Sequence, residues 1–97
     1  MRRRTTIWIV ADDSGAYVRS VRGSRGRWYR DLVANPDGAI IFGAERISIR
    51  AIAAVDADSI ELVSYLFRAK YGRRSRASTE SMVQPMTLET TLRLVPT

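Results

Sequence analysis

Apolar and polar positions first settle into a pattern at Thr5 to Ala11 (TTIWIVA), a run rich in β-branched and aromatic residues that ends in the turn cluster Asp12-Asp13-Ser14-Gly15. Ala16 to Arg22 (AYVRSVR) then resumes a strand-like alternation, so the two runs predict a β-hairpin. In the second strand Tyr17, Arg19 and Val21 share one face and Val18, Ser20 and Arg22 the other. Neither face is purely apolar, which predicts a polar cavity beside it. Gly23-Ser24-Arg25-Gly26 breaks the strand. Arg27 to Asn35 (RWYRDLVAN) pairs Trp28 with Leu32 and Tyr29 with Val33 at i, i+4, the spacing of a short amphipathic helix with Ser24 as its N-cap. Asn35-Pro36-Asp37-Gly38 ends it in a tight turn.

Ala39 to Phe42, the connection Gly43-Ala44 and Glu45 to Val55 (ERISIRAIAAV) predict a second hairpin, in which Ile47, Ile49, Ala51 and Ala53 alternate with Arg46, Ser48 and Arg50. Asp58 and Glu61 resemble a capping box for the next helix. Its core stripe is Ile60, Val63, Phe67 and Tyr71, flanked by Leu66, and Gly72 supplies the stop. Arg73 to Met86 is polar and aperiodic, and reads as a loop with one helical turn at most. Thr87 to Val95 is a last strand of period two. The order β-β-α-β-β-α-β in 97 residues predicts one α+β domain spanning residues 1–97, built on a small antiparallel sheet. Closure into a barrel would remove its bare edges.

Composition narrows the chemistry. Without cysteine or histidine, the chain has no disulfide, no thiolate or imidazole metal site and no Ser/His/Asp triad. No metal site is expected, because Asp12-Asp13 reads as a turn and the other carboxylates are scattered. Hydrophobic residues at 45% and charged residues at 27% are those of an ordinary globular domain. The apolar run after Arg2-Arg3-Arg4 is too short for a signal peptide or a membrane span, and a cytoplasmic location is expected. The net charge is +6, carried by fifteen arginines and the single Lys70. Arginine grips phosphate and carboxylate with two prongs, so an anionic partner is expected. A G- and C-rich genome would produce the same bias whatever the function.

Tyr17 to Leu32 (YVRSVRGSRGRWYRDL) concentrates the candidate chemistry. Ser20 and Ser24 offer hydroxyls, Gly23 and Gly26 let backbone amides approach an anion, the helix start adds partial positive charge, and Arg19, Arg22, Arg25 and Arg27 add full charge. Trp28 and Tyr29 bring flat rings to the same place. A Gly- and Ser-bearing junction between strand and helix is also an ordinary way to begin a helix.

The run WIVADDSGAYVRSVRGSRGRWYRDLVANPDGAIIFG, the strand ERISIRAIAAV, the helix ending RAKYG and the ending TTLRLVP resemble the domain of unknown function 2255 family. That family is similar to the FMN-binding split-barrel superfamily, with its pyridoxamine-phosphate oxidase-like proteins and deazaflavin-dependent nitroreductases. The similarity of WYRDLVANP favours the deazaflavin coenzyme, with FMN close behind. The resemblance implies a small antiparallel split β-barrel in which Ser20, Arg22, Gly23, Ser24 and Arg25 face a cofactor phosphate, with Arg27, Trp28 and Tyr29 close by. It also implies an oxidoreductase that transfers hydride to a small organic substrate, with the redox chemistry carried by the cofactor. Members usually have a further helix and strand before the Trp8 strand. This chain starts at Met1-Arg2-Arg3-Arg4, so one strand is missing or comes from a partner subunit, and a homodimer with its cleft near the interface is expected.

Two other readings stand beside this one. The basic charge with Tyr17, Trp28 and Tyr29, together with Arg73, Arg74 and Arg76, suits a nucleic-acid-binding module. No helix-turn-helix, RNA-recognition or zinc-finger pattern accompanies it. The third is a non-catalytic dimeric interaction domain that has kept the fold alone.

Overall fold

In a computed structural model, which describes residues 7–97, five strands form one antiparallel sheet. β1 (Ile9–Asp12) and β2 (Gly15–Val18) make the first hairpin, and β3 (Asp37–Phe42) and β4 (Glu45–Ala53) the second. β5 (Leu92–Pro96) lies between them, giving the order β1-β2-β5-β4-β3. A 3-10 turn (Gly23–Arg25) leads into α1 (Arg27–Ala34), and α2 (Ala57–Tyr71), α3 (Arg76–Val83) and α4 (Pro85–Leu88) connect β4 to β5. Thr5 and Thr6, read as part of the first strand, lie outside the described residues.

Both sheet faces carry core, and this explains why the expected barrel does not close. Strand alternation puts Ile9, Val18, Leu92, Leu94, Ala51, Ile49 and Ile47 on one face, against Trp28, Tyr29 and Leu32 of α1. Val10 and Tyr17 point to the other, against Val63 and Phe67 of α2. A barrel would need one face to line its interior. Here each face has its own helix, so the sheet stays open, with β1 and β3 as its edges among the described residues.

Two caps differ from the expected ones. Asp56, not Asp58, caps α2, its carboxylate accepting the Ser59 amide at 3.0 Å. Gly26 rather than Ser24 is the N-cap of α1, and no side chain caps that end. Ser24 is instead taken up by the 3-10 turn.

The segment expected to be a loop holds α3 and α4, and Thr87 to Thr91 precede the last strand instead of beginning it. Helix forms there through tertiary burial of Thr79, Met82 and Thr87, not through an apolar stripe. Threonine hydroxyls close on nearby carbonyls: Thr79 on Ser75 O at 2.7 Å, Thr87 on Gln84 O at 2.8 Å, Thr90 on Thr87 O at 2.6 Å and Thr91 on Leu88 O at 2.7 Å. These bonds let a polar segment enter the interior with its side chains satisfied.

Candidate functional site

β2 stops at Val18, and the chain then carries Arg19 into the interior against α2 and α3 and Ser20 against Gly26 at the start of α1. Arg19 is 1% exposed. Its Nε donates to Thr91 Oγ1 at 2.8 Å, Nη1 to Ser64 Oγ at 2.9 Å and Met82 O at 3.1 Å, and Nη2 to Ile60 O at 2.9 Å. Its guanidinium carbon lies 5.7 Å from the Phe67 ring centroid. All these acceptors are neutral. The ion pair found among the described residues, Arg50 with Asp37, is on the surface. Burial, with Arg68 as a second cause, lowers the Arg19 pKa to about 10, so the guanidinium still carries its charge at neutral pH.

Beside Arg19 is a cavity of about 260 Å³ lined by Ile7, Trp8, Val21, Trp28, Ser78, Ser81 and Met82. The mixed faces of the second strand predict a polar cavity here, but the cavity found is mainly apolar, with Arg19, Ser78 and Ser81 as the polar part of its wall. Trp8 is fixed from behind by stacking on Tyr71 at 4.2 Å between centroids. Ser78, Ser81 and Met82 project from one side of α3 by their i, i+3, i+4 spacing.

The eight residues singled out from the sequence divide into three groups. Arg22, Ser24, Arg25 and Arg27 are exposed around the 3-10 turn and the start of α1. The first-turn amides of α1 have no intrahelical acceptor and no side-chain cap, so full and partial positive charge gather there. Ser20 and Gly23 lie beneath. Gly23, at φ +66°, packs so that a Cβ would come 3.0 Å from Met86 O, and its amide closes on Ser20 O at 2.9 Å. The Ser20 amide donates to Thr90 Oγ1 at 2.9 Å, while its own hydroxyl is buried without a partner.

The two rings separate. Trp28 turns to the Arg19 cavity, whereas Tyr29 lines an apolar cavity of about 250 Å³ with Leu32, Val33, Pro36, Ala51, Ala53 and Leu92. They meet edge to face at 6.3 Å. Tyr17, the third ring of the nucleic-acid reading, is a core residue and not a stacking platform. Asp12 accepts the Ser14 amide at 2.8 Å, and this bond with the Ser14 hydroxyl holds its pKa below the usual value, as befits a turn.

Ser78 and Ser81 were missed because they fall in the segment read as a loop. For Arg19 the signal was available: it follows Tyr17 on the core-facing side of its strand.

A family model described as an uncharacterised protein conserved in bacteria (DUF2255) matches residues 1–94. The chain belongs to the DUF2255 family. No curated protein and no solved structure matches it. In this DUF2255 protein no described helix is long and apolar enough to cross a membrane.

Proposed function

We propose that the protein binds a phosphate-bearing, flat-ring ligand of the deazaflavin or FMN type at the 3-10 turn and the start of α1. One observation carries the reading. A fully buried hydroxyl without a partner, Ser20 Oγ, lies directly under the uncapped N-terminus of the eight-residue helix α1, and the exposed Arg22, Ser24, Arg25 and Arg27 lie in the turn and first helical residue that form this end. Uncapped amides together with Arg22, Arg25 and Arg27 fit a phosphate group. Trp28, in the first turn of the same helix, offers a ring at the adjoining cavity.

The flavin-type identity, and with it membership of the split-barrel superfamily, rests on the WYRDLVANP resemblance. A cofactor of this type supplies hydride transfer to a small organic substrate. The chain's own share is to hold the phosphate through Arg22, Arg25 and the α1 amides, to place a ring against Trp28 and to limit water in the cavity. The absence of histidine and cysteine is compatible with that division.

Titration of the full chain with FMN and with the deazaflavin coenzyme, followed by ligand fluorescence, tests the reading. Saturable binding of either, weakened in Arg22→Ala/Arg25→Ala, is expected. No binding of either at high micromolar concentration overturns it.

A further inference from the structure

Arg19 holds a buried positive charge whose acceptors among the described residues are all neutral. A guanidinium has five N–H groups. Four are taken by Thr91, Ser64, Met82 and Ile60, which leaves one on Nη2. Arg19 ties α2, α3 and the approach to β5 together and also borders the cavity. Across that cavity are two serines of α3 and two indole rings. Ser81 already donates to Ala77 O at 3.1 Å, so Ser78 is the hydroxyl of the two placed to donate elsewhere.

We propose that this cavity is a recognition site for a small organic carboxylate with a planar apolar body. The carboxylate takes the remaining Arg19 N–H and the Ser78 hydroxyl, and the body lies among Trp8, Trp28 and Ile7. Charge and size both select the class. A monoanion neutralises the single buried guanidinium, whereas a phosphate dianion would leave a net negative charge among apolar walls. At about 260 Å³ the cavity lies just below the range of about 300–1,000 Å³ typical of drug-sized ligands, which suits a single ring. If the phosphate reading also holds, this carboxylate is the class of substrate brought to the cofactor. The proposal does not depend on that reading, since Arg22 and Arg25 take no part in it.

The test uses the full chain, with benzoate as the probe and benzamide as its neutral counterpart, followed by tryptophan fluorescence and calorimetry. Saturable benzoate binding is expected, at least about tenfold tighter than benzamide, the worth of one charge-assisted hydrogen bond. Ser78→Ala should weaken benzoate several-fold, and by more than it weakens benzamide, because the bond to the carboxylate is charge-assisted. Arg22→Ala/Arg25→Ala should leave benzoate binding intact even where it abolishes binding of a phosphate ligand. Equal affinity for the two probes overturns the proposal, as does the absence of saturable binding into the millimolar range. Undiminished benzoate binding by a folded Arg19→Met variant does so as well. If Arg19→Met fails to fold, the comparison of the two probes on the unsubstituted protein still decides.

Discussion

Ser20 and Gly26 compete for one small volume: a Cβ added to Gly26 would overlap Ser20 Oγ, the buried hydroxyl left without a partner. The backbone of Gly26, at φ −57° and ψ 132°, suits any residue, so glycine is required there by space and not by conformation. Strand exit and helix entry are thereby packed against each other without a side chain between them.

Gly26→Ala should accordingly destabilise the protein by about 1–3 kcal/mol through overpacking. Ser20→Ala should leave stability unchanged or raise it, because it removes a buried hydroxyl that has no hydrogen bond. Combining them should recover most of the Gly26→Ala loss, a non-additivity expected of side chains in contact. Urea unfolding of the three variants measures all of this. Additive losses would show that Ser20 does not occupy the space.

For the exposed arginines the expectation concerns binding and not stability. Arg22→Ala and Arg25→Ala should each weaken a phosphate-bearing ligand by about 1.5–3 kcal/mol, with unfolding midpoints unchanged. The control is removal of Arg73, Arg74 and Arg76, which lie just before α3 and at its first residue. If calorimetry finds that this triple change costs more, the anion site lies on the late basic segment. Oligonucleotide binding that weakens steeply with salt would then favour the nucleic-acid reading.

Asp56 gives a prediction about acid stability. Hydrogen bonding by the Ser59 side chain, and then by its amide, holds the carboxyl below the usual aspartate value of 3.8 in the folded chain. The folded pKa is depressed, so the contribution is present above the unfolded value and is lost as pH falls through the folded one. Asn caps helices as well as Asp and does not titrate. Asp56→Asn should therefore match the unsubstituted protein near neutrality, and its melting temperature should fall less between pH 5 and pH 2. Equal acid slopes for the two proteins would refute the assignment.

The hairpins, α1 and α2 were legible because each obeys one short-range rule. Asp12 to Gly15 and Gly43 mark turns, Ile47, Ile49 and Ala51 alternate, and Val63, Phe67 and Tyr71 recur at helical spacing. α3 was not legible, since Arg76 to Val83 has no apolar stripe and its helix depends on burying Thr79 and Met82 against distant segments. That one gap hid three of the eight residues that line the cavity, because Ser78, Ser81 and Met82 share a wall only once α3 exists. Ser20 and Gly23 were rightly grouped with the basic loop, but pattern could not tell that they lie beneath it. Nor could it tell that Trp28 and Tyr29, adjacent in sequence, diverge into different cavities.

The two sheet edges differ in a way that bears on assembly. At β1 the Ile9 carbonyl accepts from Lys70 Nζ at 2.8 Å and from Tyr71 Oη at 3.0 Å, so the end of α2 occupies that edge. The apolar residues of this first hairpin are covered within the chain: Val10 and Val18 are core, and Trp8, just before β1, is stacked on Tyr71. β3, six residues long and paired only with β4, is the longer edge, and Ile41 and Ile52 stand half-exposed on the same face beside it. An uncovered edge of this length is a template for pairing with a second strand. A homodimer formed by antiparallel β3–β3 pairing is therefore expected at micromolar concentration, and light scattering should give twice the chain mass. Ile41→Lys places a charge on that edge and should yield a monomer with an unchanged circular dichroism spectrum. A monomer from the unsubstituted chain across the micromolar range would show that β3 remains unpaired in solution.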